Sequence, residues 1–216
     1  RRRPRAPPPA TLRPRASSTP TMALALSSEA AHAYPVRARL TYGTAGFRAK
    51  AELLDGAMYR IGMLAALRSM KLGGNTVGIM VTASHNPHAD NGVKLVDPDG
   101  GMLSQAWEQH ATAVANAPEA TLSATLLSVS SSEGLGDTSG GRVLIGRDTR
   151  AHSAGLAAIA AQGARAIGGV AEDAGLLTTP QLHHLVRMGN GEKGAGPLYG
   201  KEAWASEGGY YAMLSE

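Results

Sequence analysis

Residues 82–94 read TASHNPHADNGVK and gather a hydroxyl at Ser84, imidazoles at His85 and His88 and an ammonium at Lys94. Three kinds of chemistry use such groups. Acyl transfer needs an activated serine, but the strained G-x-S-x-G turn is absent, and His85 adjoins Ser84, where neighbouring side chains diverge. Zinc ligation needs more than His85 with His88, or His183 with His184, since neither pair has a third ligand at metal spacing; these read as structural or surface histidines. Anion binding asks least. A turn of small residues after a strand exposes backbone N–H groups at the carboxyl edge of a sheet, where open α/β sheets hold ligands. Pro87 holds Asn86 extended and stiffens that turn. Lys94 interrupts an apolar strand and points opposite to Val93 and Leu95. On these residues alone, a turn serine and an exposed strand lysine remain the plain alternative.

A second charged cluster, GRDTR at 146–150, also follows an apolar run. Arg147, Asp148 and Arg150 either neutralise a phosphate or brace one another, and bracing is the commoner role for a lone cluster. No Walker-type or dinucleotide-binding glycine pattern is present. The chain has no cysteine, which excludes disulfides, thiolate catalysis and Cys-ligated zinc.

The elements that would position these groups alternate between strand and helix. LLDGAMYRIGMLAALRSMKLGG has apolar residues at helical spacing, Arg68 and Lys71 in the last turn and Gly73 and Gly74 as the stop. NTVGIMVTA is the short apolar run of a buried strand, ending just before Ser84. GVKLV, RVLIG and VAEDAGLL read as further strands, and the segment from Val36 to Lys50 has strand-like alternation. SQAWEQHATAVANA, with Ser104 as N-cap, SAGLAAIAAQGARAIGG, and TTPQLHHLVRMG read as helices. In the last of these, Thr179 is the expected N-cap, Pro180 the first helical residue and Gly189 the end. Residues 117–141 are rich in Ser, Gly and Ala and read as an inserted loop. Aromatics at 4% with abundant aliphatics favour α/β over an all-β sandwich. There is no internal repeat.

The net charge of +4 belongs to one end of the 216 residues. Residues 1–21 hold six of the 21 Lys and Arg, six Pro and no acid, so the remainder carries 15 basic against 17 acidic residues, a net of −2. No basic stripe remains to follow a nucleic-acid backbone. Residues 1–37 are expected to be a disordered extension, or an acid-free organelle-targeting segment. The first residue is Arg rather than Met, so the sequence is expected to be incomplete at this end. No run approaches the roughly 18 apolar residues of a membrane span, and a cytoplasmic location is expected.

Taken in order, YGTAGFR at 42–48, TASHNP at 82–87 with DNGVKLVDPDGGML after it, GRDTR at 146–150 and GLLTTPQLH at 175–183 resemble the first domain of the α-D-phosphohexomutases. The form LTYGTAGFRAKAELLD is most similar to eukaryotic members acting on N-acetylglucosamine phosphates. The resemblance implies a three-layer α/β/α domain with a mixed sheet over residues 38–216, cut at its junction with a second domain. It implies that Ser84 carries the phosphate donated to the sugar, that Lys94 assists proton transfer, and that Arg48 and His85 line the phosphoserine. It also implies Mg²⁺, bound through a phosphate oxygen on Ser84, with carboxylate ligands outside this chain. The implied reaction interconverts N-acetylglucosamine 6-phosphate and 1-phosphate through a bisphosphate, toward UDP-N-acetylglucosamine. The partners are the phosphosugar and the remaining domains. The same-class alternative is a glucose- or mannose-phosphate mutase, and the other is a truncated, non-catalytic interaction module. His152, where the family has small residues or serines, is an expected tolerated departure.

Overall fold

The computed structural model describes residues 30–135, 140–191 and 206–215. Five strands, β1 (Phe47–Lys50), β2 (Val77–Val81), β3 (Asp90–Val96), β4 (Arg142–Arg147) and β5 (Val170–Leu176), form one sheet in the order β1-β3-β2-β4-β5. β3 pairs antiparallel with β1 on one side and β2 on the other, and β2, β4 and β5 run parallel, so the sheet is mixed. Helices α1 (Asp55–Lys71), α2 (Gln105–Ala115), α3 (Glu119–Ser132), α4 (Ser153–Ala166), α5 (Thr179–Asn190) and α6 (Glu207–Ser215) complete it.

Alternation along the strands sorts the helices into two layers. Ile79, Val81, Val93, Leu95, Val143 and Ile145 share a core with α1, α2, α3 and α4, whereas Met80 and Val96 pack with Leu182 and Val186 of α5. The central strand β2 is buried along its whole length, which explains why its sequence is a continuous apolar run. The architecture is the α/β/α arrangement expected.

Helix α1 is not an amphipathic cover but a core element, buried on nearly every side. Its two interior arginines are both partnered. Arg60 donates to the carbonyls of Ala117, Tyr34 and Gly56 and to Glu119 at 2.7–3.1 Å. Arg68 grips Asp97 through two bonds of 2.9 and 2.6 Å and lies over the Trp107 ring, which fixes the DPDGG turn after β3. Against α4, the backbones themselves touch. A Cβ on Gly62 would sit 1.9 Å from the Ala160 carbonyl oxygen, and one on Gly163 would sit 1.8 Å from that of Tyr59.

Several expectations are corrected. Residues 30–37 are not a solvated extension: Ala31 is buried, Tyr34 stacks on Tyr59, and its carbonyl is the one Arg60 holds. The disorder or targeting expected of the chain before them lies outside the described residues. Residues 36–46 are not a strand. Their N–H groups at Val36, Leu40 and Tyr42 are taken by the side chains of Glu119, Asn116 and Thr112, so the chain straps the helical layer instead of pairing with the sheet. Most of the expected 117–141 loop is α3, held by Leu122, Leu126 and Val129, whose helical spacing is hidden among Ser, Thr and Ala. Helix α5 starts one residue earlier than expected, because Thr178 and Gln181 form a capping box, and it passes Gly189 to end at Gly191, φ 57°. Among the described residues, no helix is long and apolar enough to cross a membrane.

The backbone contact between α1 and α4 gives a paired test. Gly163→Ala should destabilise the fold by about 2 kcal/mol or more through overpacking. Gly155→Ala, in the same helix with nothing within 4 Å of the added carbon, should be neutral or stabilise by up to ~1 kcal/mol. Urea denaturation of both variants checks this; equal effects would contradict the close approach.

Candidate functional site

The carboxyl ends of β2, β4 and β5 open onto a cavity of about 710 Å³, lined by all four residues singled out from the sequence, Arg48, Ser84, His85 and Lys94. They come from separate elements. Arg48 is on β1, Lys94 is on β3 opposite Met80 of β2, and Ser84 and His85 are exposed in the turn that follows β2. Arg147, Asp148, Gln181 and Tyr211 supply the other walls.

Close backbone approach makes the Arg48 wall possible. Gly46, at φ 73°, lies so near β3 that a Cβ would meet the Val93 carbonyl oxygen at 2.2 Å, and the Arg48 guanidinium crosses Gly92 so closely that a Cβ there would meet its Nη1 at 2.2 Å. This is the structural content of the glycines in YGTAGFR and DNGVK.

The Ser84 turn is held from behind by GRDTR. Arg150 uses all five of its N–H donors: Nε bonds Asp148 at 3.1 Å, Nη1 bonds the Pro87 and Asp90 carbonyls at 2.9 and 3.1 Å, and Nη2 bonds those of Ala83 and Asn86. Asp148 accepts from Thr82 Oγ1, Ser153 Oγ, the Arg150 amide and Arg150 Nε. The bracing reading of this cluster is the correct one for Asp148 and Arg150. Buried Asn91 extends the network, giving its two N–H bonds to Ser153 Oγ and His152 Nδ1, while His152 Nε2 donates to the His88 carbonyl. The departure at His152 is thus accommodated as one more tie on the loop.

The electrostatics are lopsided. Burial pushes the Asp148 carboxyl up, but its four hydrogen bonds outweigh burial and hold it below the usual range. Burial, then the charge of Arg48, lowers the Lys94 pKa, and burial lowers that of Arg48. Burial of the Tyr42 hydroxyl, which accepts from the Leu95 amide at 2.8 Å behind this wall, pushes it up to about 12. Cations therefore face the cavity, while its two lining carboxylates, Asp148 and Glu207, already accept hydrogen bonds.

Sequence reasoning missed Asn91, Thr82 and the pair Gln181 and Tyr211. Gln181 Nε2 bonds Glu207 at 3.2 Å and the Tyr211 hydroxyl at 2.9 Å, joining α6 to the rim. The T-x-x-Q spacing of Thr178 and Gln181 was the legible signal; nothing in the pattern announces the others.

For Mg²⁺, the residues fit only a partial shell. Among the described residues no group of three or more His, Asp or Glu stands together to hold a metal, and both Asp148 oxygens are already engaged.

Two measurements test the clamp. Arg150→Ala should speed amide exchange at Asn86 and Asp90 by about tenfold or more, leaving α1 unchanged; unaltered loop exchange would contradict the clamp. Because the folded Asp148 pKa is depressed, its contribution is present above its unfolded value of about 3.9 and lost as pH falls through the folded value. The melting temperature should therefore drop in acid, and Asp148→Asn should remove part of that drop.

The family described as Phosphoglucomutase/phosphomannomutase, alpha/beta/alpha domain I, matches residues 62–122 and 116–195. The human phosphoacetylglucosamine mutase is 50% identical over 187 residues, covering 87% of this chain and 33% of the relative. The rice protein of that name is 53% identical over 157 residues, 71% of this chain and 28% of the relative. The chain thus spans about a third of the length of the relatives it matches. Among solved structures, Aspergillus fumigatus N-acetylphosphoglucosamine mutase in complex with GlcNAc-6P and magnesium superposes with a TM-score of 0.78 at 42% identity, covering 88% of this chain and 34% of that one. A substrate complex of N-acetylglucosamine-phosphate mutase, of the α-D-phosphohexomutase superfamily, gives 0.79 at 37% identity, with 89% and 35% covered. With the sheet order, the Ser84 turn and these matches in agreement, the chain belongs to the phosphoglucomutase/phosphomannomutase family and forms its alpha/beta/alpha domain I.

Proposed function

We propose that the protein carrying this chain is a phosphosugar mutase that interconverts N-acetylglucosamine 6-phosphate and N-acetylglucosamine 1-phosphate, with Ser84 as the residue that carries the phosphate. The observation behind this is the exposed Ser84 hydroxyl, on a turn clamped through its carbonyls, facing Arg48 and Lys94 across one cavity. The relatives named for the same reaction support the choice of sugar.

Phosphoryl transfer depends chiefly on positioning and charge stabilisation, which is what these walls offer. As O1 of N-acetylglucosamine 6-phosphate attacks phosphorus, its bond to Ser84 Oγ breaks and the bond to O1 forms. Lys94 takes the O1 proton and returns it to Ser84 Oγ. Its lowered pKa enlarges the neutral fraction that can act as a base. The bisphosphate then reorients, Ser84 Oγ attacks the 6-phosphate while giving its proton to Lys94, and O6 leaves with that proton. Arg48 and His85 flank the phosphate throughout. Bound through a phosphate oxygen on Ser84, Mg²⁺ would neutralise charge on the phosphoryl group, its other ligands coming from parts of the longer protein. Those parts would also close the cavity over the sugar, so residues 1–216 alone are expected to be inactive.

The longer protein, supplied with N-acetylglucosamine 6-phosphate, Mg²⁺ and a hexose bisphosphate, should form the 1-phosphate, and Ser84→Ala should lower turnover by roughly a thousandfold or more. Mass spectrometry should find phosphate on Ser84. Normal turnover by the alanine variant would overturn the assignment, and robust turnover by the 216 residues alone would overturn the need for further domains.

A further inference from the structure

Among the described residues, two buried side-chain nitrogens lack a hydrogen-bond partner, Arg147 Nε and His183 Nε2. Arg147 has Asp173 at 3.8 Å, whereas the His183 nitrogen has no acid or donor assigned to it. A buried polar atom without a partner in a native fold calls for a reason, and a role in chemistry is one of the few.

The tautomer of His183 is fixed by its surroundings. Nδ1 donates to the Gly100 carbonyl at 2.7 Å, so Nε2 presents a lone pair and nothing else. The acceptor on Gly100 cannot drift. Gly100 has φ 75°, a Cβ there would meet Arg187 Cβ at 2.8 Å, and the turn it belongs to is tied down by Arg68 through Asp97. Burial also lowers the His183 pKa, which favours the neutral acceptor.

The neighbour able to meet that lone pair is Lys94. Helix α5 lays Leu182 and Val186 on Met80 and Val96. Met80 is the register partner of Lys94, and Lys94 shares a strand face with Val96. His183, next to Leu182 and bonded to Gly100, is thereby brought to the side of the sheet on which Lys94 lies. Among the described residues Lys94 makes no hydrogen bond and no ion pair of its own. An uncommitted amine on the cavity wall and a buried, uncommitted acceptor behind that wall thus lie on the same side of the sheet.

We propose that His183 is a positioning residue for the reaction: during the transfer its Nε2 receives one N–H of Lys94, a bond the two do not make in this structure, and so sets the direction in which the Lys94 nitrogen meets the sugar hydroxyl. This rests on Lys94 being the proton-transfer group of the proposed mutase. A neutral amine has two N–H bonds and one lone pair. With one N–H given to His183, rotation about the Cε–Nζ bond is restricted and the lone pair is aimed into the cavity.

Substitutions separate this role from a structural one, measured in the longer, active protein. In His183→Asn the side-chain amide can still donate to Gly100, but the acceptor at the Nε2 position is gone. Its melting temperature and KM should stay close to wild type while kcat falls about tenfold. His183→Gln places an amide oxygen near the lost lone pair and should recover a large part of kcat even though the Gly100 bond is lost. In a Lys94→Ala background, His183→Asn should cost nothing further, because the two act as a unit. Wild-type kcat in His183→Asn, an equal loss with and without Lys94, or activity that only follows the melting temperature would each overturn the inference. If wild type is active and depends on Ser84 while any of these occurs, this inference alone falls. If wild type is inactive or independent of Ser84, the mutase reading itself fails.

Discussion

The rest of the structure depends on two helices touching backbone to backbone. With Gly62 and Gly163 at the crossing, α1 and α4 approach as no pair of larger residues allows, and both come down on β2 and β4 together. Each helix then delivers something to the site. From α4, the first residue, Ser153, hydrogen-bonds Asp148, and its cap, His152, ties the Ser84 loop. From α1, Arg68 fixes the turn that ends in Gly100, and Arg60 pins the strap that leads into YGTAGFR. A shift of α1 against α4 would therefore be felt at the cavity through several independent arms.

Charge at the site is arranged by use rather than by count. Arg150 and Asp148 spend their capacity on the fold. Arg60 and Arg68 do the same in the core. Among the described residues facing the cavity, Lys94 has no side-chain hydrogen bond and Arg48 has one, to the Phe47 carbonyl, so an anion entering it meets attraction that is not fully satisfied internally. Desolvation lowers both of their pKa values.

Much of this was legible in the sequence. The apolar run of β2, the glycine stop of α1 and the small turn after β2 each follow from local pattern, and the ordered set of motifs located Arg48, Ser84, His85 and Lys94 on one cavity. What escaped were pairings between distant residues. Nothing local says that Arg150 reaches across to the carbonyls of Ala83 and Asn86, that Glu119 caps the amide of Val36, or that Asn91 joins two elements. Helix α3 was hidden for a different reason: three buried residues suffice to hold it, and its remaining Ser and Thr look like loop. The strap at 36–46 alternates like a strand, yet its amides at Val36, Leu40 and Tyr42 find their partners on side chains and not on a neighbouring strand.

Arg150 grips the Ser84 loop only by its main chain; no side chain between Ser84 and Ala89 is among its partners. The shape of the loop is consequently stored just beyond β4, in a residue more than sixty positions away, and not in the side chains the loop exposes. Substitutions at His85, His88 or Ala89 can retune what the loop presents without rewriting its course. A fold built in this way keeps geometry and surface chemistry as separately heritable properties, and what the same loop displays can be changed one exposed side chain at a time.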